Sequence, residues 1–178
     1  MRDYFMRTAR IGFSTWSAGD LPLAERLWGD GAVTRYICAS GRFTPGEIAA
    51  RLETEIGNGA RFKVQYWPIF ALETGVLIGC CGLRPFACEV RAYELGCHLC
   101  RDAWGMGYAT EAARAVIRCG FDVLEAERLY AGHHPENRAS EHLLRKLGFT
   151  YIGRNLYGPT GLYHPSYELK QGKIEGIS

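Results

Sequence analysis

This chain has no apolar stretch long enough to cross a bilayer. Its longest run, Val76 to Leu83, is interrupted by glycine and cysteine and falls far short of the roughly 20 residues a spanning helix needs. The amino end, MRDYFMRTAR, has neither an apolar h-region nor a cleavage site, so no secretory leader is expected. Runs of lysine or arginine are missing and the formal net charge is only +2, which leaves no electrostatic case for nucleic acid. Cysteines number seven, an odd count without regular spacing. That excludes a disulfide framework and predicts reduced thiols in a cytoplasmic protein. Cys97-x-x-Cys100, with His98 between, has no second ligand pair at zinc spacing. Residues three apart on a strand also face opposite ways, so no metal site is expected. Repeats, linkers and low-complexity segments are absent too. What remains is an ordinary globular composition, 47% hydrophobic and 22% charged over 178 residues, which predicts a single domain spanning 1–178.

What is present centres on Glu94 to Phe121. Leu95, Cys97 and Leu99 alternate with other residue types, the period-2 sign of a strand. Trp104-Gly105-Met106-Gly107-Tyr108 then gives the backbone two positions at which to turn sharply. Ala109, Ala112, Ala113, Val116, Ile117 and Phe121 follow at the spacing of one buried helix face. Unpaired N–H groups in the first turn of that helix, added to its dipole, make a seat for a phosphate.

Upstream, Arg10 to Trp16 reads as a strand, and Asp20 as the cap of a short helix burying Leu23, Leu27 and Trp28. Val33 to Tyr36 is a connection without a pattern. Thr44-Pro45-Gly46-Glu47 is a capping box opening a helix that is expected to stop near Gly57-Asn58-Gly59. Residues 61–73 form a strand region with a bend or bulge at Pro68, and Thr74-Gly75 turns it into Val76 to Leu83 as a hairpin. Strand 92–99, the helix and strand Arg128 to His133 make a β-α-β unit with parallel strands. Asn137 to Leu147 reads as a second amphipathic helix, with Leu143, Leu144 and Leu147 inward and Gly148 as its stop. Thr150 to Leu156 and Tyr163 to Lys170 close the chain as paired strands. The fold class is α/β, a mixed sheet with helices on both faces.

Gly105-x-Gly107 alone does not identify the phosphate ligand. A P-loop needs Lys-Ser/Thr where Tyr108-Ala109 stands. A dinucleotide fingerprint needs a small residue at Thr110 and an acid ending the next strand, whereas Glu125 and Glu127 precede that strand. Four stretches instead resemble one family. They are Thr8-x-Arg10 with Trp16, Asp20-Leu21 and Val33-Thr34-Arg35-Tyr36; Tyr93-Glu94-Leu95-Gly96; Trp104 to Ala112; and Asn137-x-x-Ser140 with Lys146-Leu147-Gly148-Phe149. In this order and spacing they resemble the GNAT superfamily of acyl-CoA N-acyltransferases, in particular its branch of Rim-type ribosomal-protein N-terminal acetyltransferases.

The resemblance implies a mostly antiparallel sheet of about seven strands with one parallel, splayed pair and about four helices. It implies acetyl-CoA as co-substrate, no metal, and transfer to an amine acceptor, with a monomer or a homodimer both open. Pantetheine would bond the backbone at Cys97, His98 and Leu99, and the diphosphate would sit on Trp104, Gly105, Met106, Gly107, Tyr108, Ala109 and Thr110. Trp104 departs from the Gln or Arg often found there and cannot donate in the same way. Glu94 matches the family's acid and is the candidate base. An α-amine with pKa about 7.8 is roughly 14% neutral at pH 7, a lysine amine only about 0.04%. This several-hundred-fold difference, about 3.5 kcal/mol, lets a weak or water-relayed base serve an α-amine. An N–H near Leu99 could polarise the carbonyl. Many members protonate the departing thiolate with a tyrosine seven residues after the asparagine; here Leu144 stands there. Ser140 could hold the sulfur or relay a proton and Asn137 could bond pantetheine, or both could simply cap their helix. The leading acceptor is a peptide or protein N-terminus. A small-molecule amine such as a polyamine or an antibiotic, and an idle acyl-CoA-binding module, are the alternatives. His133 and His134 either line the acceptor pocket or lie at the surface, the latter being the leading expectation, and the acceptor pocket is expected to take its shape from 29–43, 85–91 and 156–163.

Overall fold

A computed structural model describes residues 2–86 and 89–172. Its strands are β1 (Met6–Arg7), β2 (Ile11–Phe13), β3 (Tyr66–Ala71), β4 (Leu77–Pro85), β5 (Ala92–Leu99), β6 (Arg128–Gly132), β7 (Thr150–Tyr157) and β8 (Leu162–Lys170). The helices are α1 (Leu21–Trp28), α2 (Gly31–Thr34), α3 (Pro45–Phe62), α4 (Tyr108–Arg118) and α5 (Arg138–Lys146). One eight-stranded sheet runs in the order β1-β2-β3-β4-β5-β6-β8-β7. Every pairing in it is antiparallel except β5–β6. The mixed sheet and the β5–α4–β6 crossover are as expected. The strand beyond the expected seven is β1, too short to show any alternation.

Each face of the sheet carries a core. On one side Ala112, Ala113, Val116 and Ile117 of α4 and Leu144 of α5 pack on Leu83, Leu95 and Leu129. On the other, Leu27 and Trp28 of α1 and Ile48 and Leu52 of α3 pack on Tyr66, Phe70 and Cys80. Side chains fully buried in this way, such as Leu27, Trp28 and Leu129, each contribute about 1.5–3 kcal/mol.

Several local expectations need correction. Asp20 does not cap α1 with its side chain. Its carboxylate instead accepts from the Ser17 backbone and hydroxyl and from Arg2. The untyped segment at Val33 contains α2, whose first turn is capped by Asp30. The α3 capping box forms as expected, but the helix runs through Gly57 and Gly59 and stops at Lys63 in the left-handed conformation. Gly59 is space rather than a stop: a Cβ there would lie 2.1 Å from Gln65 Nε2. The β3 irregularity falls between Ile69 and Phe70, just past Pro68. Leu143 is only partly buried, because its helix position turns it toward the cavity described next.

Candidate active site

The parallel strands touch only briefly. Ala92, Tyr93 and Glu94 pair with Arg128, Leu129 and Tyr130, and no pairing follows toward Leu99. The Cys100 N–H donates to Ile78 O on β4. Backbone groups alternate between the two edges of a strand, so Cys97 and Leu99 direct theirs into the gap beside β6. His98 directs its own toward β4, opposite Cys80. The indole N–H of Trp104 donates to Leu99 O at 2.9 Å, which leaves the Leu99 N–H as the bare group. Trp104 is thus a clamp on the strand rather than a donor to a ligand.

Glu94 stands at the last paired position, where the strands part. Its carboxylate makes no hydrogen bond or ion pair among the described residues. Burial pushes it above the usual carboxylate range, against the pull of the Arg84 and Arg51 cations. Its cross-strand neighbour is Arg84, but Arg84 is ion-paired to Glu55 of α3. Glu55, fully buried, also accepts the Tyr66 N–H at 2.9 Å. Gly96 is needed here because a Cβ would lie 2.2 Å from the Tyr66 ring. The phenol therefore lies across β5 between Glu94 and His98, with the Arg84 guanidinium 4.2 Å from its ring centre. His98 accepts from the Trp28 indole at 3.3 Å. Burial, with Arg51 and Arg84 nearby, holds its imidazole well below its ordinary range and therefore neutral.

The turn after β5 is held at both ends and left bare in its middle. Arg101 pairs with Asp30 at 2.6 Å and Asp102 with Arg26 at 2.8 Å. Further on, Arg10 donates to Met106 O at 2.9 Å. Gly105 and Gly107 take φ of 75° and 80°, and a Cβ on Gly105 would meet nothing within 4 Å. The first hydrogen bond returning from α4 is Glu111 N–H to Gly107 O. None is donated by the N–H groups of Gly105, Met106, Gly107, Tyr108, Ala109 or Thr110 among the described residues. Unpaired N–H groups in a turn that opens a helix suit a diphosphate. A carboxylate in that first turn, Glu111, would repel one unless it were held by a partner. Thr8 donates to it at 2.6 Å, and Arg10 binds it through its backbone N–H at 2.9 Å and its Nε at 2.7 Å. Burial alone would raise this carboxyl, but the Thr8 and Arg10 bonds outweigh it and keep it below its ordinary value. The opening Thr8-x-Arg10 motif thus serves the phosphate loop from the far end of the sheet.

A cavity of about 690 Å³ joins these parts. Glu94, Cys97, His98, Leu99, Trp104, Gly105, Ala109 and Thr110 line it, together with Asn137, Ser140 and Leu144. Met106, Gly107 and Tyr108 do not line it. Asn137 caps α5, its Oδ1 accepting the Ser140 N–H at 3.1 Å, which leaves the Asn137 amide NH₂ and the Ser140 hydroxyl without partners among the described residues. Both His133 and His134 line the cavity as well, and His133 is buried rather than at the surface. It contacts the Tyr167 hydroxyl at 3.3 Å. His134 stacks with Tyr36 at 4.9 Å and meets His164 edge-on at 5.6 Å. Ala32, Val33, Tyr36, Ile37 and Tyr157 line the acceptor end, whereas nothing described in 85–91 does; Phe86 is turned away, stacked 4.1 Å from Tyr130. Positions 87 and 88 lie outside the described residues.

Reading along the chain misses Arg51, Glu55 and Arg84. A signal exists: Glu55 falls on the same α3 face as Ile48 and Leu52, and a carboxylate in an apolar stripe requires a buried partner. Among the described residues no cluster of three or more metal-binding side chains occurs. The six cysteines described are free, and no helix is long and apolar enough to cross a membrane.

Residues 10–150 match the family model of the acetyltransferase (GNAT) domain. The uncharacterized N-acetyltransferase p20 of Bacillus licheniformis is 31% identical over 147 residues, 82% of each chain. Among solved structures, a GNAT-family acetyltransferase from Bacillus anthracis superposes with a TM-score of 0.77 at 22% identity, covering 93% of this chain and 97% of its own. The coenzyme A complex of RimL, a ribosomal L7/L12 α-N-protein acetyltransferase, superposes at 0.79 with 14% identity, covering 94% and 98%. The chain belongs to the GNAT family and is an N-acetyltransferase that uses acetyl-CoA.

Proposed function

We propose that this enzyme acetylates the α-amine at a peptide or protein N-terminus, with Glu94 as the base. The observation that carries the reading is Glu94 itself: a carboxyl at the mouth of the strand gap, without a hydrogen-bond partner among the described residues, and raised by burial. A base shifted toward neutrality suits an α-amine already partly deprotonated at pH 7, and it would give a lysine amine too little help. Acetyl-CoA supplies the activated acyl carbonyl. The diphosphate would rest on the bare amides of residues 105–110, and pantetheine would bond the strand edge at Cys97 and Leu99. His98 contributes a wall rather than a backbone contact, since its main chain faces β4. The Leu99 N–H is aimed to stabilise the charge that grows on the acyl oxygen. As the amine nitrogen bonds the acyl carbon and the carbon–sulfur bond breaks, Glu94 takes the amine proton, directly or through water, and the electron pair leaves on sulfur. Ser140, with its hydroxyl unengaged, is the group on hand to hold that sulfur and pass it a proton. Asn137 would offer its free amide to pantetheine.

A small-molecule amine is the second reading. Ala39 N–H bonds Pro159 O at 2.8 Å and so joins the two loops that follow the lining residues Ile37 and Tyr157, a closure that favours a compact acceptor. Steady-state release of CoA across a panel of N-terminal peptides, lysine peptides and polyamines tests the proposal. Turnover with α-amine peptides above all others is the expected result; turnover with side-chain or polyamine acceptors alone would overturn it.

A further inference from the structure

We infer that the acceptor carries an anionic group close to its amine, and that Arg51 of α3 receives it. This deepens the proposed α-amine reading and rests on it. Arg51 lines the cavity at the acceptor end beside Tyr66, Arg84 and Glu94. Its natural helical partner would be Glu55, four residues on. Glu55 is committed to Arg84 and to the Tyr66 backbone. Arg51 therefore has no ion pair and no hydrogen bond among the described residues. Two rings hold it instead, Trp28 at 5.0 Å and Phe43 at 5.7 Å, and its Nε is buried without a partner. Arg84 Nε is likewise buried and unpartnered.

Counting charge at this end of the cavity gives a direction. Arg84 is neutralised by Glu55, and Glu94 becomes neutral once it takes the amine proton. Arg51 is then a cation without a counter-charge. A guanidinium held between two rings and half-buried at the cavity wall can take a planar carboxylate through two parallel bonds. A polyamine would bring further positive charge to the unpaired Arg51 and offer it no counter-charge, so this end of the cavity favours an anionic acceptor over it. The fitting acceptor is an α-amine flanked by a carboxylate. Two sources have that chemistry: an Asp or Glu at the start of a peptide, and the α-carboxylate of a free amino acid.

The test is CoA release with the full-length enzyme and matched acceptors: Ala-Asp-Ala-amide, Ala-Asn-Ala-amide and Ala-Lys-Ala-amide, then alanine against alaninamide, and spermidine. The kcat/KM of the anionic member should exceed its neutral isostere by about tenfold or more, the low end for a hydrogen bond to a charged group. R51Q should bring that ratio close to one and R51K should keep most of it. The ratio reads charge recognition even if overall activity falls. Preference for the Asp peptide over alanine, or the reverse, assigns the source of the anion. Equal rates within both matched pairs, Asp against Asn peptide and alanine against alaninamide, or a ratio unchanged in R51Q, would overturn the role of Arg51 while leaving α-amine acetylation standing. Turnover of spermidine or the lysine side chain alone would overturn both.

Discussion

As the proposed base, Glu94 would set how this enzyme responds to pH. Burial raises its carboxyl above the usual range, and a base works as its carboxylate. The rate should therefore fall as pH drops through that raised value, higher than an exposed glutamate would give. Glu94→Gln should lower kcat by about 10²–10⁴-fold and remove the acidic limb of the pH–rate profile. A profile that keeps its limb in the variant would transfer the base to another group. Asn137 and Ser140 can be separated from their capping duty because the cap uses the Ser140 backbone N–H and the Asn137 Oδ1. Ser140→Ala keeps that bond, so it should lower kcat with an unchanged melting temperature. Asn137→Ala loses it and should also cost about 1 kcal/mol of stability; a melting temperature unaltered in Asn137→Ala would contradict the observed cap. The sequence could place Glu94 and Asn137 near one cavity because a motif surrounds each of them. Arg51 was not legible, since its meaning depends on Glu55 already being engaged by Arg84, two elements away.

At the scale of the element, the strand, turn and helix of residues 92–118 were the most legible part of the chain. Two glycines, an apolar helix stripe and an alternating strand state it locally, and Gly105 and Gly107 do take left-handed conformations. What holds the loop was not legible: Arg10, Asp30 and Arg26 reach it from other segments. Those pairs are too exposed to add much stability, yet they fix the loop's position. Gly107→Glu should abolish acetyl-CoA binding in calorimetry. It puts a Cβ at a φ of 80° and a carboxylate beside the diphosphate seat, while helix α4 and the core behind it are untouched. Unchanged affinity would count against the loop. The helix ends were less legible. Gly57 and Gly59 look like a stop, but Gly59 serves close packing against Gln65, a tertiary reason invisible along the chain.

At the scale of the whole molecule, the sheet and its two cores follow from alternation and helix periodicity, which is why the mixed architecture could be anticipated. Strand β1 and helix α2 are too short to carry a period and depend on their neighbours. The buried Glu55–Arg84 pair joins α3 to β4 and, through the Tyr66 N–H, to β3. Glu55→Ala should destabilise the protein by about 3–5 kcal/mol in denaturant unfolding, because it strands a guanidinium and a backbone donor at once. A loss below about 1 kcal/mol would mean water replaces the carboxylate.

The central claim is that one strand edge and one bare turn hold the acyl donor in front of Glu94. A crystal structure with coenzyme A tests it most directly. The account predicts the diphosphate on the backbone N–H groups of residues 105–110 and the thiol between β5 and β6, near Ser140. Coenzyme A bound elsewhere, or those amides turned toward the protein's own oxygens, would contradict it.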